Sequence, residues 1–232
     1  MVRRIKIYAD GSNLTKMVEL YEKRSVDGFT TNPSLVAKEG IRDYKEFIAA
    51  VTKKINNMPI SFEVLSDDVD EMYDQAVMIS KISPNINVKI PITNTCREST
   101  GRIIKKLLSV GISVNVTAVF TESQIDEIKD DLVSSTRAIV SVFAGRIADT
   151  GIDPMPIIRE IRKMTHENVE ILWASCREVY NVYQAESCGC GIITLTSDIF
   201  SKLPLGGKNL LDYSCETVKG FYDDAVNSGM RL

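Results

Sequence analysis

Val88-Lys89-Ile90-Pro91-Ile92-Thr93 is an apolar, largely β-branched run that carries a single ammonium group and is interrupted by a proline. Brevity, branching at Cβ and the proline predict a short buried strand rather than a helix. Lysine rarely lies fully inside unless it is paired. Burial disfavours the charged amine. A neutral amine adds to carbonyls and forms Schiff bases. The plain alternative is a lysine whose stem lies on apolar surface while its head reaches water. The neighbouring elements must decide between the two.

Working outward, similar short runs recur along the whole chain. They predict strands at Ile5–Ala9, Gly28–Thr31, Ile60–Leu65, Asn87–Pro91, Ser113–Val119, Ala138–Phe143, Val169–Ala174 and Gly191–Leu195. Between them lie amphipathic segments such as Tyr44–Ile55, Val69–Ile82, Gly101–Val110, Glu122–Leu132, Pro154–Met164 and Arg177–Ala185. Gly111 and Asn168 mark expected helix ends. Alternating strands and helices predict a parallel sheet covered by helices. Eight strands in 232 residues fit an α/β protein of the eightfold β/α (TIM) barrel type, expected as one domain over residues 1–232. A last helix, about 211–227, is expected to cap the barrel or to join subunits. A doubly wound open sheet is the rival fold. Its glycine-rich turn is missing, since the first strand runs into Ala9-Asp10-Gly11-Ser12-Asn13. Gly206-Gly207-Lys208-Asn209 also lacks the pattern of a phosphate loop.

Composition narrows the partners. The 28 basic and 31 acidic residues are well mixed, so no nucleic-acid footprint is expected. No apolar run approaches the ~20 residues that span a bilayer, and the N-terminus lacks the apolar core of a signal peptide. Cys96, Cys176, Cys188, Cys190 and Cys215 are odd in number and lack zinc spacing, so reduced thiols in the cytoplasm are the expectation. The sole histidine, His166, is expected on a surface loop, which argues against histidine catalysis and histidine-rich metal sites.

In a β/α barrel the carboxyl ends of the strands carry the chemistry. Here nearly every end is polar: Asp10; Thr30-Thr31-Asn32-Pro33-Ser34; Glu63; Lys89; Asn115 and Thr117; Ser141, Phe143 and Arg146; Ser175-Cys176-Arg177. Alternation puts Lys89 inside the barrel if Val88 and Ile90 face the helices. Each residue has a plainer reading. Asp10 could cap a helix, Asn32 could serve a turn before Pro33, Glu63 could face outward, and Arg146 and Arg177 could be surface charges. Jointly they read otherwise. Carboxylates and a lysine converging on one mouth persist when paired or functional. Two arginines with a serine suit an anionic phosphate.

Asp27-Gly28-Phe29-Thr30-Thr31-Asn32-Pro33-Ser34-Leu35 and Val88-Lys89-Ile90-Pro91-Ile92-Thr93 resemble the two signature segments of the transaldolase family. The chain is similar to the short subfamily that also contains fructose-6-phosphate aldolase, from about Ile5 to Leu203. The resemblance implies a class I mechanism without metal or other cofactor, acting on sugar phosphates in the cytoplasm. By the same resemblance Lys89 is the Schiff-base lysine, Asp10 handles the C4 hydroxyl proton, and Glu63 works through a water near Thr117. Asn32, Asn115 and Ser141 would hold the dihydroxyacetone unit, and Arg146, Ser175 and Arg177 the phosphate. Glu63 and Phe143 are transferase-type residues where the aldolase branch is expected to carry glutamine and tyrosine. A homo-oligomer, pentamers paired into decamers, is implied too, with no nucleic acid or membrane partner.

Some features depart from the family. Gly11 stands where threonine or serine is expected, and Cys176 where an aromatic is usual. The loop Asn94–Thr100 after the lysine strand reads as longer than in relatives, which leaves the sugar pair open. The expected activity is transfer of a dihydroxyacetone unit from sedoheptulose 7-phosphate or fructose 6-phosphate to an aldose phosphate, in the pentose phosphate pathway. The alternatives are an aldolase releasing free dihydroxyacetone and a non-catalytic sugar-phosphate-binding barrel.

Overall fold

Eight parallel strands close on themselves in chain order in the computed structural model, which describes residues 5–133 and 136–231. They are β1 (Lys6–Asp10), β2 (Gly28–Thr30), β3 (Ile60–Glu63), β4 (Ile86–Pro91), β5 (Val114–Val119), β6 (Ala138–Val142), β7 (Val169–Trp173) and β8 (Ile192–Leu195). β8 pairs back onto β1, with Ile193 opposite Ile7. Helices follow the strands, as the alternation predicts, and the fold is the expected eightfold β/α barrel. The chain divides by its contacts into Met1–Phe200, which holds the barrel, and Ser201–Leu232. In the second unit Asn209 caps the helix Leu210–Ser228 by accepting from the amides of Leu211 and Asp212, and left-handed Gly229 ends it. None of that helix's residues is buried. No helix among the described residues is long and apolar enough to cross a membrane.

Strand alternation divides two very different surfaces. Ile7, Phe29, Phe62, Val88, Ile90, Val116, Val140 and Ile171 lie buried on the outer face of the barrel wall. The interior is polar for much of its height, with Thr30, Ser61, Asn87, Lys89, Asn115, Thr117, Ser141 and Thr194 all buried. These groups mostly satisfy one another. Ser141 Oγ donates to Asn115 Oδ1 at 2.6 Å, Asn115 Nδ2 to Ser61 Oγ at 3.1 Å, and the Thr30 and Thr194 hydroxyls lie 2.6 Å apart. Such pairing offsets the desolvation that an orphaned polar group would suffer.

Below this layer the barrel is plugged. Tyr8 is fully buried and packs with Ile139, Leu172, Ala174 and Ile192. Its hydroxyl accepts from Arg137 Nη2 at 3.1 Å, and Arg137 pairs with Glu170, which also holds Lys6. Gly28 leaves room for the ring, because a Cβ there would lie 2.5 Å from Tyr8 Cζ.

Two helices differ from expectation by more than two residues at one end. Glu122–Leu132 is not one helix. It is a helix Glu122–Asp126 followed by a 3₁₀ turn Lys129–Leu132. Carboxylates at 126, 127, 130 and 131 would crowd the C-terminal end of a continuous helix, where the dipole is negative. The break still buries Ile125, Ile128 and Leu132. The helix expected from Arg177 begins at Tyr180, and the amides of Arg177 and Glu178 ahead of it bond to the Asn181 side chain. His166 is exposed, as expected.

Gly28→Ala should destabilise the barrel by about 1–3 kcal/mol, the usual cost of overpacking, because the enclosed Tyr8 ring cannot yield. Urea unfolding of the variant measures this; an unchanged midpoint would contradict the plug.

Candidate active site

Lys89 is 5% exposed at the centre of β4. In-register pairing sets Glu63 of β3 and Asn115 of β5 on either side of it. Its Nζ lies 2.9 Å from Glu63 Oε2 and donates to the Thr31 carbonyl at 2.8 Å. The lysine therefore does not snorkel; its head is held inside the barrel. Glu63 is steadied in turn, since its amide donates to the Tyr44 hydroxyl at 3.1 Å. Burial pushes the Tyr44 phenol up to about 12, so it stays protonated near neutral pH.

A cavity of about 280 Å³ opens above Lys89 at the carboxyl ends of the strands. Asp10, Asn32, Thr117, Ser141, Phe143, Arg146, Ser175 and Arg177 line it together with Lys89. Glu63 and Asn115 are the two expected site residues that do not line it. Glu63 is joined to the cavity lining through its ion pair with Lys89. Asn115 is wholly buried and reaches it through Ser141.

Asp10 accepts from Thr30 Oγ1 at 2.8 Å and caps no helix; Asn13 caps the next one. Burial raises the Asp10 carboxyl above its ordinary 3.8, against the opposing pull of the Lys89 charge and the Thr30 hydroxyl. Asn32 caps the helix Pro33–Lys38 by accepting from the Leu35 amide at 3.0 Å, and it lines the cavity as well. Here the turn chemistry and the site position coincide in one residue. Thr117 sits where the β5–β6 register shifts, next to Ala118 at φ 58°. Its hydroxyl is buried without a hydrogen-bond partner among the described residues.

The far end of the cavity is cationic. The Arg146 guanidinium lies 5.0 Å from the centre of the Phe143 ring. Arg177 engages Asp149 through Nε, at 3.2 Å, and through Nη2. Phe143 also packs 5.8 Å from Phe120 and leans on the Tyr8 cluster, so it gives this part of the wall an apolar surface.

The sequence reading missed several contributors. The Thr31 carbonyl is main chain and leaves no side-chain signal. Tyr44 reaches the site from a helix. Lys38 lines the mouth one helical turn after Ser34, a spacing visible only once Pro33–Lys38 is known to be helical. The loop Asn94–Thr100 contributes nothing to the lining. It folds as a hairpin, with Thr93 bridged to Ser99, and is pinned where Asp67 accepts from the Thr95 amide and hydroxyl.

A sequence model described as transaldolase/fructose-6-phosphate aldolase matches residues 7–229. The chain belongs to the transaldolase/fructose-6-phosphate aldolase family. Among similar proteins, a probable transaldolase of Carboxydothermus hydrogenoformans is 36% identical over 203 residues, covering 86% of this chain and 90% of that one. A probable transaldolase of Brucella anthropi is 35% identical over 226 residues, covering 93% and 97%. Probable transaldolase 2 of Listeria monocytogenes is 32% identical over 214 residues, covering 89% and 93%. A solved structure described as a putative fructose-1,6-biphosphate aldolase from Coccidioides immitis superposes with a TM-score of 0.58 at 9% identity, covering 89% of this chain and 82% of that one. At that identity the likeness speaks for the barrel alone. Membership in the transaldolase/fructose-6-phosphate aldolase family makes this chain an enzyme of the transaldolase type.

Asp10→Asn tests the electrostatics of the site. A carboxyl raised by burial favours the folded state fully only in acid, below its ordinary 3.8, and that contribution is lost as pH rises through the folded value. The amide carries no such penalty. The variant should therefore gain stability at neutral pH, with the gain disappearing below about pH 4, as urea midpoints across pH would show. A pH-independent difference would contradict the assignment.

Proposed function

We propose that this chain is a transaldolase that carries a dihydroxyacetone unit on Lys89 from a ketose phosphate to an aldose phosphate. The observation that carries the reading is the buried Lys89 amine, held between Glu63 and the Thr31 carbonyl at the floor of a cavity with cationic residues at its far end. Glu63 accepts the lysine proton, and the free amine adds to the C2 ketone. The carbinolamine loses water to give the imine, with Glu63 moving protons through a water bound at Thr117. Such a water would satisfy the orphaned Thr117 hydroxyl. Asp10 takes the C4 hydroxyl proton, the C3–C4 bond breaks, the aldose phosphate leaves, and the electron pair stays on the lysine-bound enamine. The enamine then attacks the aldehyde of a second aldose phosphate, and the steps reverse. Asp10 suits the task because burial raises the proton affinity of its carboxylate, making it a stronger base than an exposed one.

In this reading Asn32, Ser141 and, behind it, Asn115 orient the three-carbon unit, while Arg146, Ser175 and Arg177 take the phosphate. Sedoheptulose 7-phosphate or fructose 6-phosphate is the donor, as the pentose phosphate pathway requires. Phe143 favours transfer over release, since its ring offers no hydroxyl to protonate the enamine. The proposal extends to a cytoplasmic homo-oligomer. The five free cysteines suit a reducing compartment, and exposed Leu210, Leu211, Phe221 and Tyr222 suit a subunit contact.

Turnover of fructose 6-phosphate should depend on an added aldose phosphate acceptor. Lys89→Met should abolish it, and Glu63→Gln should slow it by roughly 10²–10⁴-fold. Rapid release of glyceraldehyde 3-phosphate without acceptor would favour the aldolase reading. Full activity of Lys89→Met would sink both.

A further inference from the structure

The cationic end of the cavity depends on a loop, residues 174–179, that its own backbone does not favour. Ser175 sits at φ 62°, a left-handed conformation that side-chain-bearing residues rarely adopt. Two neighbours hold it there. The helix Ala144–Asp149 presses Gly145 against the loop so closely that a Cβ would lie 1.6 Å from the Ser175 carbonyl oxygen. On the other side stands Asn181, a buried residue in the first turn of the helix Tyr180–Ser187.

Asn181 Oδ1 gathers donors from consecutive residues of the loop. It accepts from the Arg177 amide at 2.8 Å, the Glu178 amide at 3.2 Å and Cys176 Sγ at 3.4 Å. Its Nδ2 donates to Gln184 Oε1 at 2.8 Å, which fixes the carboxamide. Val179, at the usual capping position of this helix, makes no side-chain cap bond. Asn181 instead reaches back from the first turn to amides that lie ahead of the capping position. Burial pushes the Cys176 thiol up to about 11, so it stays neutral, and its one proton is shared between this oxygen and the Glu178 carbonyl, 3.3 Å away. Asn181 does not line the cavity, whereas Ser175, Cys176 and Arg177 all do.

We infer that Asn181 is a positioning residue for phosphate recognition: by holding residues 176–178 on one oxygen, it turns Ser175 and Arg177 into the cavity that Arg146 also lines. It thereby sets the preference for phosphorylated over unphosphorylated sugars without touching either. The inference rests on the transaldolase reading and on the phosphate lying at Arg146, Ser175 and Arg177.

The test compares wild type with Asn181→Ala and Asn181→Asp, using fructose 6-phosphate turnover with an aldose phosphate acceptor. The second readout is borohydride trapping of unphosphorylated dihydroxyacetone on Lys89. Asn181→Ala should raise KM for fructose 6-phosphate roughly tenfold or more, the scale of a lost hydrogen-bond acceptor, with dihydroxyacetone trapping unchanged. Asn181→Asp keeps the accepting oxygen but loses the Nδ2 donor to Gln184 and adds a negative charge, so it too should raise KM while leaving dihydroxyacetone trapping unchanged. If Asn181→Ala does not fold, Asn181→Ser, whose shorter hydroxyl cannot reach all three donors, is read in the same way. Equal loss in both readouts, or an unchanged KM in Asn181→Ala, would overturn the inference. A wild type that traps no dihydroxyacetone would instead overturn the reading beneath it.

Discussion

The Lys89–Glu63 pair, made across neighbouring strands inside the barrel wall, is the interaction on which the rest of the site depends. Both side chains are largely buried, at 7% and 17% exposure. Neither is tolerable there alone: removing one partner of a buried pair costs about 3–5 kcal/mol, because the other charge is left uncompensated. In-register pairing of β3 and β4 brings the two together. The Thr31 carbonyl then gives the ammonium a second acceptor and aims it at the cavity floor. In the proposed reaction the amine is stored as one half of an ion pair, and its proton has a destination one hydrogen bond away.

Around that pair the barrel is built in layers with different tasks. Tyr8 and its apolar neighbours close the lower end, and Arg137 and Glu170 seal the phenol hydroxyl. Ser61, Asn115 and Ser141 form a chain of side-chain hydrogen bonds that stiffens the middle. Thr30, shared between Asp10 and Thr194, fixes the carboxylate on the opposite wall. The mouth is left to loops and helix starts, where Asn32, Arg146, Ser175 and Arg177 stand. Rigid strands hold Lys89, Glu63 and Asp10, while Asn32, Arg146, Ser175 and Arg177 stand on segments whose shape depends on neighbours.

The same division explains what was legible in the sequence. The strands were readable because β-branching and brevity are local signals, and the closed barrel followed from their number and alternation. Alternation could place Lys89 on the interior face but left Glu63 free to point either way; its in-register pairing with Lys89 decides that. The rest rests on tertiary contact. Nothing local says that the Thr31 carbonyl receives the lysine, or that Asn115 is screened from the cavity by Ser141. The break between Asp126 and Lys129, the Gly28 notch for Tyr8 and the Asn181 anchor each need a partner far away in the chain or a helix register not yet known. The loop after the lysine strand, which drew attention by its length, spends its polar groups on Asp67 and on itself.

The central claim is that Lys89 carries a three-carbon unit through a covalent imine. The most direct measurement is borohydride reduction in the presence of fructose 6-phosphate, followed by mass analysis of the peptide that contains Lys89. The account predicts an adduct on Lys89 with the mass of a reduced dihydroxyacetone unit, not of the intact hexose phosphate alone. An unmodified Lys89 peptide, or an adduct on another lysine, would contradict it.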